Sequence, residues 1–345
     1  MSHTIHIEGS DETVEAEAGD TILDACLLGG VEFAYSCQAG NCGTCRCELL
    51  SGDILELEYS EHALAAADRA RGIVLACRAQ VWSDVRIRRS DEDDLAMHPA
   101  RVLACRVAAL EPVTHDIWRV QLEIVAGGPF SFSAGQYASI EFPFARGMAR
   151  EYSMAGRPDQ PLLEFHVREG GAGSVTAGLG QRLRVGDEVR VTGPNGSAHL
   201  RSRHAGPIIA IAGGSGLAPI RSILSTLRES GSDNPLHVYF GARAARDVYA
   251  EEEMRSWVDG RAGSRAQVVL SEHDGSRAGV PWRSGIVTDA VDADFARLDG
   301  FKAYVAGPPA MVEAATQLLL GKGVAVRDIH ADPVPVAAAA KAVAA

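Results

Sequence analysis

No apolar run in the 345-residue chain approaches the roughly 18 residues needed to cross a bilayer. The opening stretch MSHTIHIEGSDETVEAEAGD has neither the basic region nor the apolar region of a secretory leader, so a cytoplasmic location is expected. Paired cysteines are also missing. Seven is an odd number, and structural disulfides are rare in the cytosol, which argues against a disulfide framework. Positive charge is in deficit: 33 Lys and Arg face 45 Asp and Glu, a net charge of −12, which argues against nucleic acid as a partner. No membrane partner is expected either. With 46% hydrophobic and 23% charged residues, the chain is an ordinary globular sequence, long enough for two or three domains.

What remains is unevenly distributed. Residues 1–90 hold fifteen Asp and Glu against seven Lys and Arg, so −8 of the −12 lies there. Solubility accounts for such a surplus, and so does an acidic face that docks a basic partner. This block reads as short strands (HTIHIEG, ETVEAEAG), a helix (DTILDACLLGG), a cysteine loop and a closing strand (SDVRIRR). Residues 91–100 lie in the acidic, Pro-containing stretch SDEDDLAMHPA, which suits a linker. Residues 101–205 hold short β-like runs punctuated by Gly and Pro, the pattern of a small antiparallel barrel. Residues 206–335 alternate apolar strands with helices, which predicts a parallel sheet covered on both faces. Residues 336–345 form an Ala-rich tail.

The cysteine loop, SCQAGNCGTCRC, spaces its thiols as Cys37-x4-Cys42-x2-Cys45, and Cys77 follows after 31 intervening residues in VLACRAQ. A zinc site usually pairs two short ligand units, and only one C-x2-C is present. A redox dithiol has no use for Cys37 or Cys77. The spacing is that of a plant-type [2Fe–2S] cluster, whose thiolates converge from a tight Gly-containing loop. Residues 1–90 resemble a plant-type ferredoxin domain, a β-grasp fold of the α+β class. By that resemblance Cys37, Cys42, Cys45 and Cys77 are the metal ligands, and Ser36, Gly40 and Gly43 shape the loop. Cys47, Cys26 and Cys105 are read as packing residues.

In AREYSMA (149–155), Arg150, Tyr152 and Ser153 are read as sharing one strand face, where a cation, an aromatic ring and hydroxyls suit a phosphate and a ring system. REGGAGSVTAGL (168–179) adds a Gly-rich turn before a helical stretch, a setting for pyrophosphate. In IIAIAGGSGLAPIRSIL (208–224) a buried strand, the turn Gly213, Gly214 and Gly216, and a helix entered near Pro219 let backbone approach a phosphate. Together these motifs resemble the ferredoxin–NADP reductase superfamily. The resemblance carries Arg150 to the FAD phosphates, Tyr152 to the isoalloxazine and ribitol, and Ser153 to the flavin ring beside its reactive nitrogen. Ser153 and Tyr152 are thus the expected catalytic contacts. Gly171, Gly173 and Ser174 go to the pyrophosphate, and His166 and Val167 to the flavin through their backbone.

YFGARAARDVY (239–249) resembles the segment that receives the adenosine ribose. There Arg243 and Arg246 suit the 2′-phosphate of NADPH and Asp247 suits the free hydroxyl of NADH; NADH is the expected donor, with NADPH the alternative. YVAGPPAMV (304–312) resembles the motif beside the nicotinamide, with Gly307, Pro308 and Met311. Ala306 stands where the family usually has Cys, and Val334 where many members have a terminal aromatic.

The domain order resembles the reductase component of aromatic-ring (Rieske) dioxygenases, of which the terephthalate, naphthalene and benzoate reductases are examples. It implies an oxidoreductase that moves electrons from NADH through FAD and a [2Fe–2S] cluster to a Rieske-type oxygenase or an intermediate ferredoxin, docked on the acidic domain. The flavin is required between the other two because nicotinamide releases two electrons together and a cluster takes one at a time. Reductases of soluble diiron monooxygenases or of sugar deoxygenation are the alternative, and a non-catalytic iron–sulfur or zinc protein is the remaining one. The purified protein is expected to be brown-yellow, with flavin bands over a broad iron–sulfur absorption. A colourless, zinc-containing protein would contradict it.

Overall fold

Alternation decides the first sheet. In Ser2–Ile7 the side chains of Ile5 and Ile7 are buried while His6 between them is exposed. The computed structural model describes the chain except for residues 1, 32, 36–37, 41–42, 62, 90–97, 273–281 and 335–345. The expected linker therefore falls mostly outside the described residues, as do the tail and the ligand candidates Cys37 and Cys42 with Ser36.

The first compact unit contains the described residues of 2–89 together with Gly196–Arg203 and His330–Asp332. Its main sheet runs in the order Thr13–Glu17, Ser2–Ile7, Val85–Arg89, Arg46–Ser51, Ile73–Leu75. Ser2–Ile7 and Val85–Arg89 are parallel, and the other pairs are antiparallel. The helix Ile22–Leu28 starts where Thr21 accepts a bond from the Asp24 amide at 3.1 Å, and it ends at Gly29 and the left-handed Gly30. Its Ile22, Leu23 and Cys26 join Ile5, Ile7, Cys47, Val85 and Ile87 in one core. This mixed sheet with a crossing helix is the expected β-grasp.

In the second unit, six antiparallel strands follow the order Arg150–Ser153, Tyr137–Glu141, Glu188–Asn195, Arg101–Pro112, Ile117–Ala126, Leu163–Arg168. A bridge between Met154 and Phe165 brings the two ends together, making a nearly closed barrel. Its interior is filled by Leu103, Val107, Val120, Leu122, Phe142, Phe165 and Val167.

The same unit continues into a parallel sheet, in the order Arg283–Ser284, Arg265–Leu270, Leu236–Ala242, Ile208–Gly213, Lys302–Gly307. Every residue of Ile208–Gly213 is buried, as a strand covered on both faces requires. The helices Leu217–Glu229, Glu251–Val258, Val287–Asp294 and Pro309–Gly321 alternate with these strands. Among the described residues no helix is long and apolar enough to cross a membrane.

Candidate functional sites

Strand register explains how Cys77 meets a loop 32 positions earlier in the chain. Arg46 pairs with Leu75, so Cys45 lies opposite Ala76, whose amide donates to the Cys45 carbonyl at 2.8 Å. Cys77 sits in the turn Ala76–Arg78, and its sulfur is 3.2 Å from that of Cys45, well beyond the bond length of about 2 Å in a disulfide. Both thiols are buried. Gly40 and Gly43 are left-handed (φ +75° and +71°), and a Cβ on Gly43 would lie 2.6 Å from the Ala63 carbonyl. Arg46 holds that same carbonyl through Nε at 2.9 Å. The Thr44 hydroxyl beside Cys45 is buried with no hydrogen-bond partner among the described residues. Two converging thiols and an unsatisfied hydroxyl fit a metal–sulfide group.

The remaining described cysteines behave differently. Burial pushes the Cys26 thiol up to about 12 and that of Cys105 up to about 11, and it raises Cys47 further still. They stay protonated and serve as core, as expected. Upstream of the loop, Ser197 clamps Tyr35 on both sides: its amide donates to the Tyr35 carbonyl at 2.8 Å, and its hydroxyl accepts from the Tyr35 amide at 2.5 Å.

On the barrel, the strand Arg150–Ser153 forms an edge of the sheet. Alternation places Arg150 and Tyr152 on one face and turns Ser153, their immediate neighbour, to the other. This corrects the expectation that all three share a face. Arg150 is exposed, with its guanidinium at 2.8 Å from the Ala149 carbonyl. Tyr152 packs edge-on against Phe142, and burial raises its hydroxyl to about 12.

The Gly-rich turn is held by Thr176, which donates to the Arg168 carbonyl at 2.9 Å and accepts from the Gly170 amide at 3.0 Å. The helix that follows, Leu179–Arg182, begins only beyond this turn. Gly173 is left-handed (φ +86°), and a Cβ on Gly171 would meet nothing within 4 Å. The Ser174 hydroxyl is buried without a hydrogen-bond partner among the described residues. An open cradle with an orphan hydroxyl fits a phosphate oxygen. His166 and Val167 lie mid-strand in Leu163–Arg168, with Val167 in the barrel core.

The two nucleotide loops leave neighbouring parallel strands at their C-terminal ends, where Ala212 pairs with Ala306. They approach so closely that side chains are excluded. A Cβ on Gly213 would lie 2.6 Å from the Met311 sulfur, and one on Gly216 would lie 2.3 Å from the Ala306 carbonyl. Pro219 is the third residue of the helix Leu217–Glu229, still in the first turn where its missing N–H costs little. Pro308 caps the helix Pro309–Gly321, and the Val334 amide donates to the Gly307 carbonyl at 2.8 Å.

Arg243 and Arg246 are exposed. Asp247, in contrast, is buried. Its Oδ2 accepts the Ala244 amide at 2.9 Å, and its Oδ1 is 3.3 Å from His115 Nδ1. One oxygen of the carboxylate expected to favour NADH is thus spent on its own turn, and the other is buried without a hydrogen-bond partner among the described residues.

The motif reading missed the residues that join the flavin barrel to the nucleotide sheet. Arg221 donates to the Ala155 carbonyl and to Glu253, each at 2.8 Å, and its Nη1 lies 2.8 Å from Glu164 Oε1. Ser222 donates to the Gly156 carbonyl at 2.6 Å. Burial works to raise Glu164, but the bonds from His166 and Gln121 and the Arg221 charge hold it down to about 2. The signal was present in EFHVR. Glu164, His166 and Arg168 alternate with core residues, so a strand face of polar groups has to find partners.

Three family profiles match in order. A "2Fe-2S iron-sulfur cluster binding domain" covers residues 5–82, an "Oxidoreductase FAD-binding domain" residues 104–200 and an "Oxidoreductase NAD-binding domain" residues 210–317. The chain is 39% identical, over 92% of its own length and 94% of the relative's, to the ferredoxin–NAD(P)+ reductase component of the naphthalene 1,2-dioxygenase/salicylate 5-hydroxylase systems of a Ralstonia species. It is 35% identical, over 92% of each chain, to the reductase component of propane 2-monooxygenase from a Gordonia species. The crystal structure of a cytochrome P450 reductase from Amycolatopsis superimposes with a TM-score of 0.73 at 34% identity, over 96% of this chain and 99% of that one.

Replacing Arg221 by Met leaves Glu164 buried without its cation. A loss of about 3 kcal/mol or more is expected, read as a lower unfolding midpoint, and adding Glu164→Gln should recover part of it.

Proposed function

Since the chain belongs to the ferredoxin–NAD(P)+ reductase components, oxidoreductases that carry FAD-, NAD- and [2Fe–2S]-binding domains, we propose that its acceptor is a Rieske-type aromatic-ring oxygenase or the ferredoxin that serves one. The observation carrying this reading is the 39% identity, over nearly the whole chain, to a reductase of the naphthalene dioxygenase type. FAD, when bound, accepts two electrons as hydride and releases them singly to the cluster. A plant-type cluster near about −400 mV would pass electrons downhill to a Rieske centre at roughly −150 to +300 mV. The second reading, a monooxygenase acceptor, is favoured by the 35% identity to the propane 2-monooxygenase reductase.

In this reading Cys37, Cys42, Cys45 and Cys77 hold the cluster. Arg150, Ser174 and the Gly171–Gly173 turn hold the FAD phosphates, while Tyr152 and Ser153 position the ring, with His166 and Val167 alongside. Gly213, Gly214, Gly216 and Pro219 receive the nucleotide pyrophosphate. Gly307, Pro308 and Met311 border the nicotinamide. The chain acts in the cytoplasm.

Docking uses the acidic surface of the first unit. Glu58 and Glu61 are exposed beside the cluster loop, since the Ser60 amide donates to the Gly40 carbonyl at 3.0 Å. The acceptor is tested by adding NADH anaerobically to the reductase with a purified Rieske oxygenase, and separately with a diiron hydroxylase. Reduction of the Rieske centre alone supports the reading; reduction of the diiron protein alone rejects it. Salt between 50 and 300 mM is expected to slow partner reduction, and Glu58→Lys with Glu61→Lys to slow it further.

NADH and NADPH are both proposed as donors. Arg243 and Arg246 are exposed and available to a 2′-phosphate, whereas Asp247 is occupied. Replacing both arginines by Ala should lower kcat/KM for NADPH about tenfold or more and leave that for NADH within about twofold. Equal losses with the two nucleotides would reject this assignment.

A further inference from the structure

Gly214 of the nucleotide turn is left-handed (φ +56°) and has no side chain of its own to hold it. Its carbonyl accepts from the Tyr249 hydroxyl at 3.2 Å. Tyr249 is buried, with Phe240 and His166 each edge-on to its ring at 5.7 and 5.3 Å. The same hydroxyl lies 3.2 Å from His166 Nδ1, and His166 belongs to the barrel strand Leu163–Arg168. His166 Nε2 is 3.4 Å from Glu164 Oε1.

Chemistry fixes the hydrogens. A carboxylate only accepts, so the imidazole hydrogen is assigned to Nε2, facing Glu164, and Nδ1 is left as an acceptor. Burial disfavours both the protonated imidazole and the phenolate. The single hydrogen of Tyr249 therefore serves two acceptors, the Gly214 carbonyl and His166 Nδ1, one on each side of the join between the nucleotide turn and the barrel.

We propose that Tyr249 and His166 are positioning residues for hydride transfer: their shared bond sets where the Gly214 peptide stands relative to the barrel strand, and hence the approach of nicotinamide to flavin. The proposal rests on the reading of Gly213–Gly216 as the nucleotide turn. A displacement of about 1 Å in such a setting costs up to about a hundredfold in rate, while affinity, spread over the whole nucleotide, changes little.

The test is anaerobic stopped-flow reduction of the FAD-loaded protein by NADH. Tyr249→Phe keeps the ring packing and removes the hydroxyl. Its limiting rate of flavin reduction is expected to fall about tenfold, with the NADH dissociation constant within about twofold. His166→Leu should match it, and the double variant should be no slower than either single variant. His166→Asn, which returns a polar group near the Nδ1 position, should recover part of the rate. An unchanged limiting rate in Tyr249→Phe, additive losses in the double variant, or loss of FAD from Tyr249→Phe would each overturn the proposal. A wild-type flavin that NADH does not bleach would overturn the underlying reading of the turn instead.

Discussion

Arg221 reaches three separate stretches of chain, the Ala155 carbonyl and the carboxylates of Glu164 and Glu253, each at 2.8 Å. It stands in the first turns of the helix that follows the Gly213–Gly216 loop, and two of its partners belong to the barrel. Glu164 ionises there because the guanidinium and the His166 and Gln121 bonds outweigh its burial. Without the cation, a carboxylate with only 5% exposure would keep Gln121 and His166 but no full countercharge, at a cost larger than most single contacts contribute. A polar join thus helps to hold the barrel and the parallel sheet at one relation. A polar join also fixes direction, since each bond has a preferred angle.

That fixed relation is what a hydride donor and acceptor need. Two carriers meeting in one unit gain from orientation set in advance by the protein. The glycines of both nucleotide loops serve the same end. Gly213 is packed against Met311, and Gly216 against the Ala306 backbone, so the loops close on each other with no room for a methyl group. Ala306 is 1% exposed and sits at this contact, where the family's usual residue is larger. The close approach of the loops leaves no room there for more than a methyl group.

The cysteine chemistry depends on a different constraint, the pairing of Arg46 with Leu75. A slip of one residue in that register would carry the loop that ends at Cys45 out of line with the turn that holds Cys77. The core beneath them, including the protonated Cys26 and Cys47, keeps that register in place. Relatives of similar identity are named for a dioxygenase system and a monooxygenase.

Local spacing alone determined much of this protein. Thiol intervals, Gly-rich turns after apolar runs, and strand alternation are short-range patterns whose physical demands are met within a dozen residues. They announced the three folds and supplied the candidate residues of the site. They misjudged Ser153, because adjacent residues on a strand cannot share a face. They were silent on Arg221, Tyr249 and Ser197, whose partners lie 66, 35 and 162 positions away. They also offered Asp247 as a ribose ligand, and only the folded turn shows its two oxygens already facing Ala244 and His115. A polar side chain does not reveal its partner in sequence; burial removes water, and whichever group the tertiary fold then brings within 3 Å or so decides its role.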